Sequence, residues 1–174
     1  MCKNNNSKHP MATVMATVKK TVAYANAHPE TFQPGTDSYA FYEQMSALCT
    51  GTLDVFTRKE DARPLLDILE CFAGTSRPEA KAIYASYLSK PDKPWYNPLV
   101  AKIMLMHAIE DVDESNPHAA HVMLIYALHV LEGKGWFHKD EARARIWLER
   151  SASLGCAEAG EMLRVMDAAA ARKR

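Results

Sequence analysis

Apolar residues recur at spacings of three and four along most of the chain, and proline and glycine separate the stretches that show this pattern. The first stretch runs from about Met11 to His28, and later ones begin near Asp37, Pro64, Ser76, Asn97, Asn116, Asp140 and Ala157. No segment alternates apolar and polar residues between hairpin turns, so no β-sheet is expected. The pattern predicts an all-α domain of about eight helices over residues 11–174, preceded by a disordered lead-in at residues 1–10.

Several of the predicted helices begin with residues that commonly cap a helix N-terminus. Asp140 can accept hydrogen bonds from the first free N–H groups of the helix that follows it. Asn97–Pro98 and Asn116–Pro117 each place a capping side chain before a proline, which the first turn of a helix tolerates. Ser76, followed three residues later by Glu79, has the spacing of a capping box. These signals predict where four of the helices begin.

The stretch from Gly133 to Ala159 combines a turn, a capped helix and a second turn. Its small and large residues hold eight places at fixed spacing: Gly133, Gly135, Asp140, Ala144, Trp147, Ser151–Ala152, Gly155 and Ala159. This pattern resembles the Sel-one-like repeat, a relative of the tetratricopeptide repeat. The resemblance covers one clear unit, about residues 119–159, and implies a short α-solenoid of stacked antiparallel helical hairpins. In such a unit we expect Trp147 to pack between helices.

A weaker copy of the same order of residues lies one unit earlier. Four residues precede their counterparts Asp140, Ala144, Trp147 and Ser151 by 43 positions, namely Asn97, Ala101, Met104 and Ala108. A period near forty is typical of stacked helical hairpins, in which each unit buries a face that it could not bury alone. Chance is the alternative explanation, because any amphipathic helix repeats apolar residues at such spacings.

Charge and cysteine usage narrow the possible partners and location. Lys plus Arg and Asp plus Glu both number 21, so a broad attraction to nucleic acid or to an anionic membrane is not expected. The four cysteines have no metal-ligand or redox spacing, and they are Cys2, Cys49, Cys71 and Cys156. No segment approaches the ~20 apolar residues of a membrane span, and the polar N-terminus lacks a signal-type apolar core. The sequence therefore predicts a cytoplasmic protein with reduced thiols.

Candidate catalytic and metal-binding groups are weakly supported. His118 and His121 lie three apart on a predicted helix and could share a metal with His107 or His129, but no acidic or thiol ligand has suitable spacing. No glycine-rich phosphate loop is present, and nothing in the sequence selects a particular cysteine–histidine pair. We expect no cofactor, no metal and no catalytic site. A helical enzyme that uses cysteine and histidine remains an alternative.

The resemblance also implies a binding surface, because the first helix of each Sel-one-like unit lines the concave face of the solenoid. On the predicted helix over residues 117–132, four residues share that face: His121, Ile125, His129 and Glu132. The equivalent face of the earlier helix carries Lys81, Ala85 and Leu88. Two aromatic pairs, Trp95–Tyr96 and Trp136–Phe137, lie in equivalent loops and could either fill the gap between hairpins or anchor a partner.

These features predict a non-catalytic protein-binding module. Some short bacterial Sel-one-like proteins look like immunity proteins, and a small domain of this kind fits an inhibitor that binds and neutralises a cognate toxin or effector. The alternative is an adaptor, a scaffold or a regulatory subunit of an enzyme or secretion complex. The expected partner is another protein, with no nucleic acid or membrane, and the chain itself is expected to be a monomer or a weak homodimer.

Overall fold

The computed structural model describes residues 56–75 and 77–172, together with a set of N-terminal residues, namely Ala16, Lys19, Lys20, Ala23, Tyr24, Ala27 and His28. Within this part of the chain the secondary structure is entirely helical, which confirms the all-α class. Six helices are complete: α1 (Lys59–Ala73), α2 (Pro78–Leu88), α3 (Pro98–Asp111), α4 (Ala119–Glu132), α5 (Glu141–Ser153) and α6 (Ala157–Ala171).

Helical residues between Ala16 and Ala27 bring the number of helices in the described residues to seven, where the pattern predicted about eight. The predicted lead-in at residues 1–10 and the helix expected near Asp37 lie outside the described residues. Over the residues that the structure describes, no helix combines the length and apolar character needed to cross a bilayer.

The chain divides into two compact units, residues 1–75 and 76–174. The first unit contains α1, in which Leu65, Ile68, Leu69 and Phe72 recur at helical spacing and are buried. The second unit contains α2 to α6. In it, α2 packs mainly on α3, α4 packs mainly on α5, and α6 packs on α5. Smaller contacts join α2 to α4 and α3 to α4, so the first helices of successive pairs are neighbours.

Two predicted helix starts in the second unit are confirmed. Asn97 Oδ1 accepts a hydrogen bond from the backbone N–H of Val100 at 3.2 Å, and Asp140 Oδ1 accepts one from Arg143 at 2.9 Å. After α5, Gly155 adopts a φ of 92°, the left-handed conformation expected where this helix ends. The local sequence signals therefore identify the start of α3 and both ends of α5 correctly.

The start of α2 differs from the one that the capping box predicted, because α2 begins at Pro78. The N-cap residue of α2 is Arg77, which makes no side-chain cap hydrogen bond, and Ser76 lies outside the described residues. Glu79 is buried and accepts a hydrogen bond from the Arg77 guanidinium at 3.0 Å and from Asn116 Nδ2 at 3.4 Å. A buried carboxylate is stable only when it is paired, so these two contacts take Glu79 away from the capping role.

The start of α4 also differs from the prediction. Asn116 Oδ1 accepts a hydrogen bond from the backbone N–H of His118 at 2.8 Å, which is the contact of an Asx turn. Because Asn116 and Pro117 belong to this turn, α4 begins at Ala119 with His118 as its N-cap residue. The asparagine thus shapes the connection before the helix instead of capping the helix.

Helices α4, α5 and α6 share an apolar core that includes Leu124, Ala127, Leu148 and Ala159. Trp147 packs against this cluster but is only partly buried. The fully buried ring nearby is Tyr126, which meets Trp147 and Phe137 edge-on at centroid distances of 5.4 and 5.6 Å. Trp147 therefore packs between helices as expected, but Tyr126 is the more deeply enclosed aromatic residue.

Candidate protein-binding surface

A groove with a volume of about 450 Å³ lies between the C-terminal halves of α2 and α4. Its walls include Ser86 and Ser89 from the end of α2, and Ile125, His129 and Glu132 from α4. Three of the four residues that the sequence placed on the binding face of α4 therefore come together in one concave surface. They face side chains of α2, the first helix of the preceding pair.

The other predicted binding residues lie elsewhere. His121 is exposed on α4 but does not line the groove. On α2, Ala85 and Leu88 are buried, and the Lys81 ammonium bonds the Asp111 carboxylate at 2.5 Å. The wall that α2 contributes is formed instead by Ser86 and Ser89, one position further along the helix. The sequence analysis did not identify these serines. Each directly follows a residue of the predicted face, and this adjacency is the signal that could have indicated them.

Ser89 and His129 form a buried hydrogen-bonded pair at the groove. His129 Nδ1 lies 2.8 Å from the Ile125 carbonyl oxygen, which can only accept, so Nδ1 carries the proton. His129 Nε2 lies 2.9 Å from Ser89 Oγ, and in the neutral ring this nitrogen accepts the hydroxyl hydrogen bond. The Ala85 carbonyl oxygen, 2.8 Å from Ser89 Oγ, is a second acceptor for the same hydroxyl.

The electrostatics of the site favour this neutral ring. Burial lowers the pKa of His129, and the nearby Lys134 ammonium lowers it further. The Ile125 carbonyl and the Glu132 carboxylate act in the opposite direction without reversing the shift. At neutral pH, His129 is therefore uncharged and can accept from Ser89.

The contact between Ser89 Oγ and His129 Nε2 is the one that a serine nucleophile makes with its general base. In such sites a third group, commonly a carboxylate, orients the base, whereas here the Ile125 carbonyl holds Nδ1. Ser89 is only 4% exposed, so a substrate in the groove would not reach its hydroxyl without movement of the wall. The geometry supports a role in holding α2 against α4.

The pair should make stability depend on pH. The folded state resists protonation of His129, while the unfolded chain titrates near the ordinary histidine pKa of about 6.5. The contribution of neutral His129 to the free energy of unfolding is therefore fully present above that pH and decreases as the pH falls through it. We expect the stability difference between the wild type and His129→Gln to be larger at about pH 7.5 than at about pH 5.5 in urea denaturation. Equal differences at both pH values would contradict this assignment.

The two aromatic loop pairs are each divided between interior and surface. Trp95 is 3% exposed while its neighbour Tyr96 is 43% exposed. In the second loop the order is reversed, since Trp136 is 61% exposed and Phe137 is buried. One ring of each pair thus fills the interior, and the other is available at the surface. Of the two predicted tryptophans, Trp136 is the one that a partner can contact directly.

The backbone at Trp136 is strained. Gly135 and Trp136 have φ values of 58° and 65°, and the Phe137 N–H donates to the Lys134 carbonyl oxygen at 3.1 Å, which closes a tight turn. Positive φ is disfavoured for a residue as bulky as tryptophan. The Lys102 ammonium donates to the Trp136 carbonyl oxygen at 3.2 Å and helps to hold this conformation.

The thiol-based alternative gains little from the structure. Cys71 and Cys156 are free thiols, and the other two cysteines lie outside the described residues. Cys71 lines a cavity in the first unit, but burial raises the pKa of its thiol despite the opposing effect of Lys19. A raised pKa reduces the thiolate fraction that nucleophilic chemistry requires. Among the residues described, no three histidine, cysteine, aspartate or glutamate side chains are grouped as metal ligands.

The second unit thus presents two features that a partner could recognise, the groove between α2 and α4 and the exposed ring of Trp136. The groove combines an apolar base with charged edges, and its wall is held by the buried Ser89–His129 hydrogen bond. No family model, curated protein or solved structure matches the chain.

Proposed function

We propose that this chain is a non-catalytic protein-binding module whose helix pairs stack as helical hairpins. The observation that carries the proposal is the groove formed where α2 and α4, the first helices of successive pairs, lie side by side. In a helical solenoid this is the concave side, where binding surfaces form. The groove contains Ile125, His129 and Glu132, which belong to the face that the Sel-one-like resemblance assigns to a partner.

The chemistry of the groove suits a polypeptide segment. Ile125 and Leu128 supply apolar surface, while Lys90, Asp92 and further charged residues of both signs line the edge. A charged rim around an apolar centre is the usual anatomy of a protein–protein interface. The presence of both signs agrees with the zero formal net charge of the chain and disfavours a polyanionic ligand.

The specific function that we propose is inhibition of a cognate toxin or effector by direct binding, with the chain acting as an immunity protein in the cytoplasm. The Sel-one-like resemblance and the small size of the domain support this choice. An adaptor or a regulatory subunit would use the same groove, but it would bind several partners or remain part of a larger complex. The number of partners and their effect on growth distinguish these possibilities.

The test is quantitative affinity capture from the native cell, comparing the wild type with an Asp92→Arg/Glu132→Lys variant. Both residues are exposed at the groove, so we expect the variant to fold. Glu161→Lys is the control for a charge reversal outside the groove, because Glu161 is an exposed carboxylate on α6 that pairs with Arg164. A stoichiometric partner should be retained by the wild type and the control and lost by the groove variant.

Two further outcomes decide between the alternatives. If the captured partner stops growth when it is expressed alone, and co-expression of this chain restores growth, the inhibitor function is supported. Several partners without toxicity would favour the adaptor. Full retention of the partner by the groove variant would show that the groove is not the binding site, and the absence of any retained protein would contradict the protein-binding proposal.

A further inference from the structure

Helix α3 carries an apolar stripe that is exposed in the part of the chain that the structure describes. Leu99 and Ile103 are 47% and 43% exposed, and Met106, on the next turn, is partly exposed. The opposite side of the helix supplies the buried residues Ala101, Leu105 and Ala108. Residues 99, 103 and 106 follow the spacing of a helix-packing face, so α3 is apolar on both sides.

Two charges lie on the same outer face. Among the described residues, neither Lys102 nor Glu110 forms an ion pair, whereas the nearby Asp111 and Glu114 are already paired with Lys81 and Arg150. The Lys102 ammonium instead contacts the Trp136 carbonyl oxygen and lies 5.5 Å from the centre of the Phe137 ring. The stripe therefore carries one cation and one anion that have no partner of opposite charge among residues 56–75 and 77–172.

The arrangement of these residues is symmetric about Met106. Lys102 and Glu110 lie four positions before and after it, and Ile103 and Ile109 lie three positions before and after it. If two copies of α3 cross antiparallel with the two-fold axis at Met106, Lys102 of each copy faces Glu110 of the other. Ile103 then faces Ile109, and the two helix dipoles run in opposite directions. The face is complementary to itself.

We propose that this face, the α3 seam of Lys102, Ile103, Met106, Ile109 and Glu110, pairs with the α3 seam of a second copy of the chain. A C2 interface requires such a self-complementary patch. Lys102 also bonds the backbone carbonyl oxygen of Trp136, so this exposed residue lies near the Lys102 end of the seam. This dimer uses α3 and is independent of the groove between α2 and α4.

The size of the seam determines how strong the dimer is. Helix α3 has 14 residues and is therefore about 21 Å long. Stable specific interfaces bury about 1,200–2,000 Å² in total, and a contact centred on one helix falls at the low end of that range. We therefore expect a concentration-dependent dimer that weakens at high salt, since ions screen the two Lys102–Glu110 pairs.

Sedimentation equilibrium of the full chain over a concentration series tests the proposal through a charge exchange. Lys102→Glu gives each seam two carboxylates, and Glu110→Lys gives each seam two ammonium groups, so each variant alone should dimerise at least about tenfold more weakly than the wild type. When the two variants are mixed, a seam with two carboxylates can face a seam with two ammonium groups. The mixture should therefore form a heterodimer, and the double variant Lys102→Glu/Glu110→Lys should dimerise again.

The apolar part of the seam is tested separately. Ile103→Glu should abolish the dimer, because it places a carboxylate within the apolar contact. Ile146→Glu is the matched control, since Ile146 is 56% exposed on α5 and lies outside the seam. The control should dimerise like the wild type.

Three results would overturn the proposal. They are a wild type that remains monomeric throughout the series, single charge variants that dimerise like the wild type, and a mixture of those variants that does not associate. A monomeric wild type would leave the stripe to a different occupant. Because both single variants are measured together in the mixture, recovery of the heterodimer also shows that each variant is folded.

Discussion

Replacing Tyr126 with Ala should lower the free energy of unfolding by about 3–5 kcal/mol, the range for loss of a large aromatic ring from a core. Tyr126 is fully buried, and its ring contacts Phe137 and Trp147 edge-on. The Arg143 guanidinium also lies 5.4 Å from the ring centre. Few neighbouring groups can move to fill such a cavity, because the ring joins α4, α5 and the loop between them. Urea denaturation monitored by circular dichroism measures the change.

Tyr126→Phe is the matched control. Within the described residues the Tyr126 hydroxyl is buried and has no hydrogen-bond partner, so its removal should leave stability unchanged or raise it by up to about 1 kcal/mol. Trp147→Ala should cost less than Tyr126→Ala, since Trp147 is only partly buried. A larger loss at Trp147 than at Tyr126 would contradict the assignment of Tyr126 as the central ring.

Gly135→Ala should destabilise the protein by about 2–3 kcal/mol, combining the cost of a left-handed backbone with a close contact. Gly135 has a φ of 58°, which disfavours any residue with a Cβ. The added Cβ would also lie 3.1 Å from Ser89 Oγ, the atom that bonds His129. To relieve the contact, the Ser89 side chain would have to shift, and a shift would disturb its hydrogen bond to His129. The same urea denaturation experiment measures the loss.

Substitutions at two other glycines distinguish the cost of the left-handed backbone from the cost of the close contact. Gly155 has a φ of 92° but open space around its Cβ position, so Gly155→Ala should show backbone strain alone, about 1 kcal/mol. Gly160 lies within α6 with open space, and Gly160→Ala should stabilise the protein by about 0.5–1 kcal/mol. If Gly135→Ala cost no more than Gly155→Ala, the contact with Ser89 would be unimportant.

The features that the sequence predicted well depend on neighbouring residues. Asp140 and Asn97 accept hydrogen bonds from N–H groups three residues away. The residues of a single helical turn are therefore enough to predict these two caps. Gly133, Gly135 and Gly155 have positive φ because the turns that require it are local. Three of the four predicted face residues of α4 meet in the groove, since helical periodicity alone brings them to one side.

The features that the sequence did not predict depend on contacts between distant residues. The Ser89–His129 hydrogen bond spans 40 residues, and no local spacing identifies a serine at the end of one helix as the partner of a histidine on another. Trp95 and Trp136 occur in similar aromatic pairs, yet one is buried and the other exposed. Glu79 was assigned a local capping role, but it bonds Asn116, 37 residues away.

The Ser89–His129 hydrogen bond has a consequence for how the helix pairs align. Apolar contacts tolerate a helix that slides along its neighbour, because one aliphatic surface can replace another. A slip of α4 by one turn would move His129 by about 5.4 Å and leave its Nε2 buried without a partner, although the bonds of Ser89 and His129 to their own helices would remain. The hydrogen bond therefore selects one register between the α2–α3 and α4–α5 pairs, and that register sets the width and curvature of the groove.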